Sequence, residues 1–133
     1  MIENFQNKLN ISIPLSGNNN SANGILREIE LDYTCKVDMP ENYGLDKTNT
    51  CLVEVTKWGV TSLSNDVCKE NFCSKLMRFM NNVLGNFKID ELTINSLVKR
   101  DIINDGKRIV LCEEIVRNVK KSKKEQKNEE KTK

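Results

Sequence analysis

The alternation of apolar and polar residues is clearest from residue 28 to residue 37, where it predicts a half-buried β-strand. The apolar positions are Ile29, Leu31, Tyr33, Cys35 and Val37, and the polar ones are Glu28, Glu30, Asp32, Thr34 and Lys36. Successive side chains of a strand point to opposite faces of its sheet, so one set packs on the core and the other faces water. The three carboxylates are therefore interpreted as a solvated face and not as a metal or acid–base cluster.

Weaker patterns predict further strands on both sides of this one. Residues 9 to 15 alternate, and Pro14 would confine such a strand to a sheet edge or a strand end. Residues 51 to 60 alternate as well, which predicts a second strand with a bulge at Gly59. Near the C-terminus, Asp105-Gly106 predicts the turn of a hairpin. Residues 109 to 119 are assigned to a strand, with a helical continuation as the alternative.

Residues 66 to 84 have the spacing of an amphipathic helix. Apolar side chains recur there every three or four positions, and charged side chains fill much of the opposite face. Ser64, Asn65 or Asp66 would cap its start, and Gly85 would end it in a left-handed conformation.

These elements predict an α+β fold in the order β-β-β-α-β-β. We expect a small, mostly antiparallel sheet or a partly open OB-like barrel with one amphipathic helix. Residues 1–24 are assigned to a flexible N-terminal segment with an edge strand, residues 25–118 to a single core domain, and residues 119–133 to a disordered lysine-rich tail. The tail has no apolar residue from Lys120 onward and cannot bury a core-facing surface.

Charge is divided unevenly along the 133 residues. Residues 117–133 carry eight basic and three acidic side chains, whereas the rest of the chain is net acidic. No signal peptide and no membrane-spanning run is recognisable, and five scattered cysteines do not form a disulfide framework, so an intracellular, cytoplasmic location is expected, or a nuclear one in a eukaryote. The abundance of lysine and asparagine is typical of an AT-rich genome, and the chain is compatible with a viral origin.

The residue types exclude most catalytic and metal chemistry. There is no histidine, which removes the commonest general base and most catalytic zinc sites. Cys68 and Cys73 are five positions apart on the predicted helix, so they would point about 140° apart and could not share an ion. We therefore expect no enzyme activity, no metal and no cofactor, and we interpret the cysteines as small buried apolar residues.

Three features remain as candidate contact sites. Trp58, the only tryptophan, is placed on the polar face of its predicted strand, where it could stack on a base or anchor a partner, unless a bulge turns it inward. The tail residues Lys120, Lys121, Lys123 and Lys124 could attract nucleic acid or only increase solubility. The helix carries Phe72, Met77, Phe79 and Met80, a supply of apolar side chains that either packs on the sheet or forms a second interface.

The sequence therefore favours a non-enzymatic binding or assembly module. We expect it to act as a small subunit of a larger complex inside a cell or a virus-infected cell, with a protein partner or a second copy of itself and without a membrane. The alternative is an OB-like single-stranded nucleic-acid-binding protein that uses Trp58 and the basic tail.

Overall fold

The computed structural model describes residues 1–15, 24–104 and 107–122 of the chain. Four strands and two α-helices follow one another in the order β1 (Ile2–Pro14), β2 (Ile25–Asp38), α1 (Leu45–Ser62), α2 (Phe72–Val83), β3 (Lys88–Asn104) and β4 (Arg108–Ser122). A short 3₁₀ turn, Ser64–Asp66, lies between the two helices.

The four strands form one antiparallel sheet in the spatial order β1-β2-β3-β4. Neighbours in the chain are thus neighbours in the sheet, and the helical segment interrupts this meander between β2 and β3. The α+β class predicted from the sequence is confirmed, as is an antiparallel sheet. The order β-β-β-α-β-β is wrong, and an OB-like barrel is not confirmed, because β1 and β4 are the two edges of an open sheet.

Strand β2 confirms the clearest sequence pattern. Its five alternating apolar positions, from Ile29 to Val37, are all buried against the helices. On the outer face of the sheet, Arg100 binds Glu30 at 2.9 Å and Arg108 binds Glu28 at 2.7 Å. Antiparallel sheets commonly leave one face in water, and here the acidic side chains of that face are neutralised by arginines from β3 and β4.

The second predicted strand, residues 51–60, is instead part of helix α1. Its buried residues include Leu52, Val55, Thr56 and Gly59, which recur at helical spacing. The valines and threonines of this segment favour a strand on propensity alone, but propensity is a weak prior that tertiary packing overrides. The buried hydroxyl of Thr56 donates to the carbonyl of Leu52 at 2.6 Å, the i to i−4 bond that threonine often forms inside a helix.

The predicted helix over residues 66–84 is confirmed only from Phe72 to Val83. Helix α2 begins at Phe72 after Asn71, and neither Ser64, Asn65 nor Asp66 caps it, because they form the separate 3₁₀ turn. At its other end, Leu84 leaves the helix in an extended conformation with φ −70° and ψ 128°. Gly85 therefore does not supply the left-handed terminator that its position suggested.

Both ends of the described chain are more ordered than predicted. Strand β1 pairs with β2 along its whole length, from Ile2 opposite Asp38 to Pro14 opposite Leu26. The N-terminal segment thus contains a full edge strand, which Pro14 ends. At the other end, β4 continues through Ser122, beyond the predicted domain boundary at residue 118.

Some of the predicted segments lie outside the described residues. These are residues 16–23 of the segment predicted to be flexible, residues 105–106 of the predicted turn, and residues 123–133 of the predicted tail. Strands β3 and β4, on either side of residues 105–106, are paired antiparallel, as the sequence predicted.

The hydrophobic core lies between the helices and one face of the sheet. Helix α1 packs on β1 and on α2, and α2 packs on β3 and β4. The two helices therefore cover the sheet side by side, with α1 toward the β1 edge and α2 toward the β4 edge. Tyr33, Leu52, Leu76 and Leu92 are among the fully buried side chains that they enclose with the strands.

Candidate interaction edge on strand β4

Trp58 lies on helix α1, where 54% of its surface is exposed. The sequence placed it on a strand, so its element was predicted wrongly. Its exposure leaves the indole accessible to a partner.

The predicted interface residues of the helix are mostly interior. Phe72, Met77 and Met80 are buried, and they pack against the sheet and helix α1. Phe79 is partly buried and lies against Gly59 of α1. Packing within the fold, one of the two interpretations from the sequence, thus accounts for these side chains, and they form no outer surface for a partner.

The predicted basic cluster is only partly within the described residues. Lys120 and Lys121 belong to β4 and not to a disordered tail, and the ammonium of Lys120 lies 3.6 Å from Glu91 on the neighbouring strand. Lys123 and Lys124 lie outside the described residues. The structure does not bring Trp58 and the two described lysines together, because α1 packs toward the β1 edge while β4 is the opposite edge.

The most unusual surface of the described chain is β4, which sequence reasoning did not single out. Four of the nine large exposed apolar side chains among the described residues lie on this strand: Ile109, Val110, Leu111 and Ile115. Only β3 pairs with β4 in the part of the chain that the structure describes, so the backbone groups along its second side have no strand partner there. The available sequence signal was the run Ile109-Val110-Leu111, which does not alternate and so cannot be buried on one face of a sheet.

Two irregularities reset which way the side chains of β4 point. The register with β3 shifts so that Cys112 faces Asp101 while Val110 faces Ile102, which leaves Leu111 without a direct partner on β3. Near the C-terminal end, Asn118 has a φ of 57°, a left-handed conformation that asparagine tolerates better than most residues.

Between these irregularities the strand alternates regularly. Val116 lies opposite the buried Leu97, so Val116 and Glu114 point toward the helix side. Glu113, Ile115 and Arg117 point to the outer face.

The charges of β4 are held by the neighbouring strand. Lys99 binds Glu114 at 2.7 Å, and Arg100 forms an ion pair with Glu113. The two glutamates in the middle of β4 are thus fixed in position by β3, whereas Arg117 contributes a positive charge further along the strand. Acidic and basic positions are consequently separated along a single exposed edge.

An apolar cavity of about 250 Å³ lies beside the C-terminal half of β4. Its walls include Val116 and Val119 of β4, together with Cys68 and Cys73. Cys68 precedes α2 and is not on it, so the helical angle predicted between these two cysteines does not apply, and both line one cavity. Burial raises the pKa of the Cys68 thiol, as expected for a thiol in apolar surroundings.

A partly buried ion pair fixes the opposite end of the β3–β4 pair to the helical layer. Arg27 donates to both carboxylate oxygens of Asp101, at 2.7 and 2.9 Å, and to the carbonyl of Ser64 at 3.0 Å. The hydrogen bond from Arg27 holds the pKa of Asp101 below its ordinary value. Strands β2 and β3 are thereby attached to the 3₁₀ turn between the helices.

Two further observations concern metal binding and membrane spanning. Among residues 1–15, 24–104 and 107–122, no three or more cysteine, aspartate or glutamate side chains are grouped so that they could hold a metal ion. No helix in these ranges is long and apolar enough to cross a membrane.

Comparison with known proteins adds no identification: no protein-family model, no curated protein and no solved structure matches this chain.

Proposed function

We propose that this chain is a protein-binding module that assembles with its partner through the free edge of β4. The main support is that β4 is a long edge strand with four half-exposed aliphatic side chains. Its second side has no strand partner among the described residues. Edge strands offer a row of unpaired N–H and C=O groups, and an extended segment of another chain can add to them as a further strand.

The second edge of the same sheet serves as an internal comparison. The outward positions of β1 include Asn4, Gln6, Asn10 and Ser12, and the strand ends at Pro14. Polar side chains and proline are common protections of an edge against pairing. Strand β4 carries aliphatic residues in its N-terminal half instead, which supports β4 rather than β1 as the contact edge.

Photo-crosslinking from the intact chain tests this proposal. A photoreactive residue at Val110, which is 46% exposed, is expected to form adducts with protein, whereas the same residue at Trp58, which is 54% exposed, is the matched control. Adducts from position 110, lost in a Leu111→Lys variant that keeps its melting temperature, would support the proposal. Equal labelling from both positions, or labelling from position 58 alone, would contradict it.

Single-stranded nucleic-acid binding, the alternative function expected from the sequence, is the second candidate. The specific observation in its favour is the exposed indole of Trp58, since bases stack on aromatic side chains. Trp58 and Lys120 lie toward opposite edges of the sheet, which counts against their binding one strand of nucleic acid together.

A titration of the intrinsic fluorescence with a short oligonucleotide separates the two candidates. Quenching that weakens as salt rises would support nucleic-acid binding, because phosphate contacts release counterions. Unchanged fluorescence at low salt would remove this candidate.

A further inference from the structure

We infer that the partner of β4 is a second copy of this chain, paired antiparallel to the first around a two-fold axis at Ile115. This inference rests on the proposed function, because it names what the free edge binds. It would join two four-stranded sheets into one continuous sheet of eight strands with all helices on one side.

Symmetry restricts the registers that such a pair can adopt. A two-fold axis that continues a sheet is perpendicular to it, so outer-face residues of one copy meet outer-face residues of the other. Neighbouring residues of a strand point to opposite faces, so an axis between two residues would pair an outer-face residue with one from the helix side. The axis must therefore pass through one residue, which then lies opposite the same residue of the second copy. The regular segment of β4, residues 112–117, therefore offers only six centres.

The charges of the strand distinguish these centres. An axis at Glu113, Glu114 or Arg117 places that charge opposite its own copy, which is unfavourable. An axis at Cys112 or Val116 pairs no opposite charges. An axis at Ile115 places Glu113 of each copy opposite Arg117 of the other, on the same outer face.

The same register buries apolar surface. Ile115, which is 48% exposed, meets its own copy at the axis. The N-terminal half of β4, which carries the exposed apolar residues 109–111, then runs alongside the C-terminal half of the second copy. Glu114 faces Val116 and keeps its ion pair with Lys99 within its own chain.

Charge reversal gives the first test, with the full chain and analytical ultracentrifugation. Glu113→Lys and Arg117→Glu each place like charges opposite each other twice per dimer, so each is expected to weaken the dimer about tenfold. The double variant restores two opposite-charge pairs, and we expect it to regain most of the affinity. In the double variant, position 113 is positive and still lies beside Arg100, so the ion pair within the chain is not restored. A recovery of dimer affinity would therefore come from the contact between the two copies.

Disulfide trapping gives the second test and does not depend on affinity. In a Cys112→Ser background, Ile115→Cys is expected to form a covalent dimer with oxidised glutathione, because directly opposed Cα atoms are roughly 4.5–5.5 Å apart, within disulfide reach. Trp58→Cys, in the same background, is the exposed control and should not form one.

The outcomes separate this inference from the proposed function. A monomer with no trapped dimer at position 115, combined with protein adducts from position 110, would overturn self-pairing and leave the protein-binding module intact. A dimer that both single charge reversals leave unchanged would overturn the register. Loss of affinity in both single variants, recovery in the double variant and trapping at position 115 together support the pairing.

Discussion

Gly59 is required by the close approach of the two helices. A Cβ atom at this position would lie 2.6 Å from Cδ1 of Leu76 and 2.9 Å from Cδ1 of Phe79, both closer than real Cβ contacts. The sequence suggested a bulge in a strand here. The structure instead uses the missing side chain for packing α1 on α2, which only the position of a distant segment could reveal.

Alanine at position 59 tests this contact. Gly59→Ala gains about 1 kcal/mol of helix propensity but must displace two packed side chains, which typically costs about 1–3 kcal/mol. We expect a net loss of about 1 kcal/mol in the free energy of unfolding, measured with urea. Gly85→Ala is the control, since a Cβ there meets nothing within 4 Å. A variant at position 59 as stable as the original protein would show that the helices can separate at little cost.

Tyr33 carries a polar atom into the core. Its ring is buried, and its hydroxyl makes no hydrogen bond of good geometry, although Thr56 and Asn7 lie near it. Burial raises the pKa of this hydroxyl to about 12, because the charged phenolate would lose its hydration in the core.

Removal of that hydroxyl should cost little. We expect Tyr33→Phe to leave the free energy of unfolding unchanged or to raise it by up to about 1 kcal/mol, because an unsatisfied buried group is destabilising. Tyr43→Phe is the comparison: its hydroxyl accepts a hydrogen bond from Asn86 at 3.2 Å, so a small loss is expected. A loss above about 1 kcal/mol in Tyr33→Phe would indicate a hydrogen-bond partner for Tyr33 in solution.

At the scale of elements, regular alternation was predictable and mixed patterns were not. Strand β2 was recognised because its apolar residues fit only a period of two. Helix α1 was missed because its valines and threonines fit a strand locally, while its burial at Leu52, Val55 and Gly59 depends on α2 and the sheet. The long β1 was visible only as a short alternation, since most of its length is defined by pairing with β2.

The ion pair between Arg27 and Asp101 connects elements and makes their association sensitive to pH. Asp101 has a lowered pKa in the folded protein, so its contribution to stability is present above the ordinary value of 3.8 and is lost as pH falls through the lowered value. Both side chains are largely buried, with 11% and 17% of their surface exposed. Solvent therefore screens this pair less than a surface pair.

We expect Asp101→Asn to lower the free energy of unfolding by about 2 kcal/mol near pH 7, because hydrogen bonds to charged groups contribute about that much. The difference from the original protein should shrink in acid, as Asp101 itself becomes protonated. Asp38→Asn is the control, because Asp38 is 60% exposed and its pair with the N-terminus is weak. A difference that stays constant down to about pH 2 would contradict the assignment.

At the scale of the whole molecule, the candidate site depends on which strands end at the edges of the sheet. The residues of β4 are adjacent in the sequence, but their exposure follows from their place outside β3 and from the limited cover that α2 provides. The sequence left open whether Trp58 is exposed, and it did not separate the buried residues of α2 from surface residues by periodicity alone. Trp58 lies on α1, which packs toward the β1 edge, so it lies away from β4 at the opposite edge.

This separation has a measurable consequence. If copies associate through β4, acrylamide should quench the fluorescence of Trp58 equally well at protein concentrations below and above the dissociation constant. Helix α1 contacts β1 and α2 and lies toward the opposite edge, so pairing at β4 leaves the indole in water. Protection of the indole upon association would place α1 in the interface and exclude β4 as the only contact.

The sequence by itself determined the α+β class, the half-buried β2, the antiparallel pairing of β3 with β4 and the polar outer face, because these follow from short-range periodicity and turn chemistry. Tertiary structure decided that residues 51–60 are helical, that Gly59 lies between two closely packed helices, and that β4 is an exposed edge. These depend on contacts between segments far apart in the chain, where the burial of one element is determined by what another element covers. The proposed interaction edge belongs to this second group.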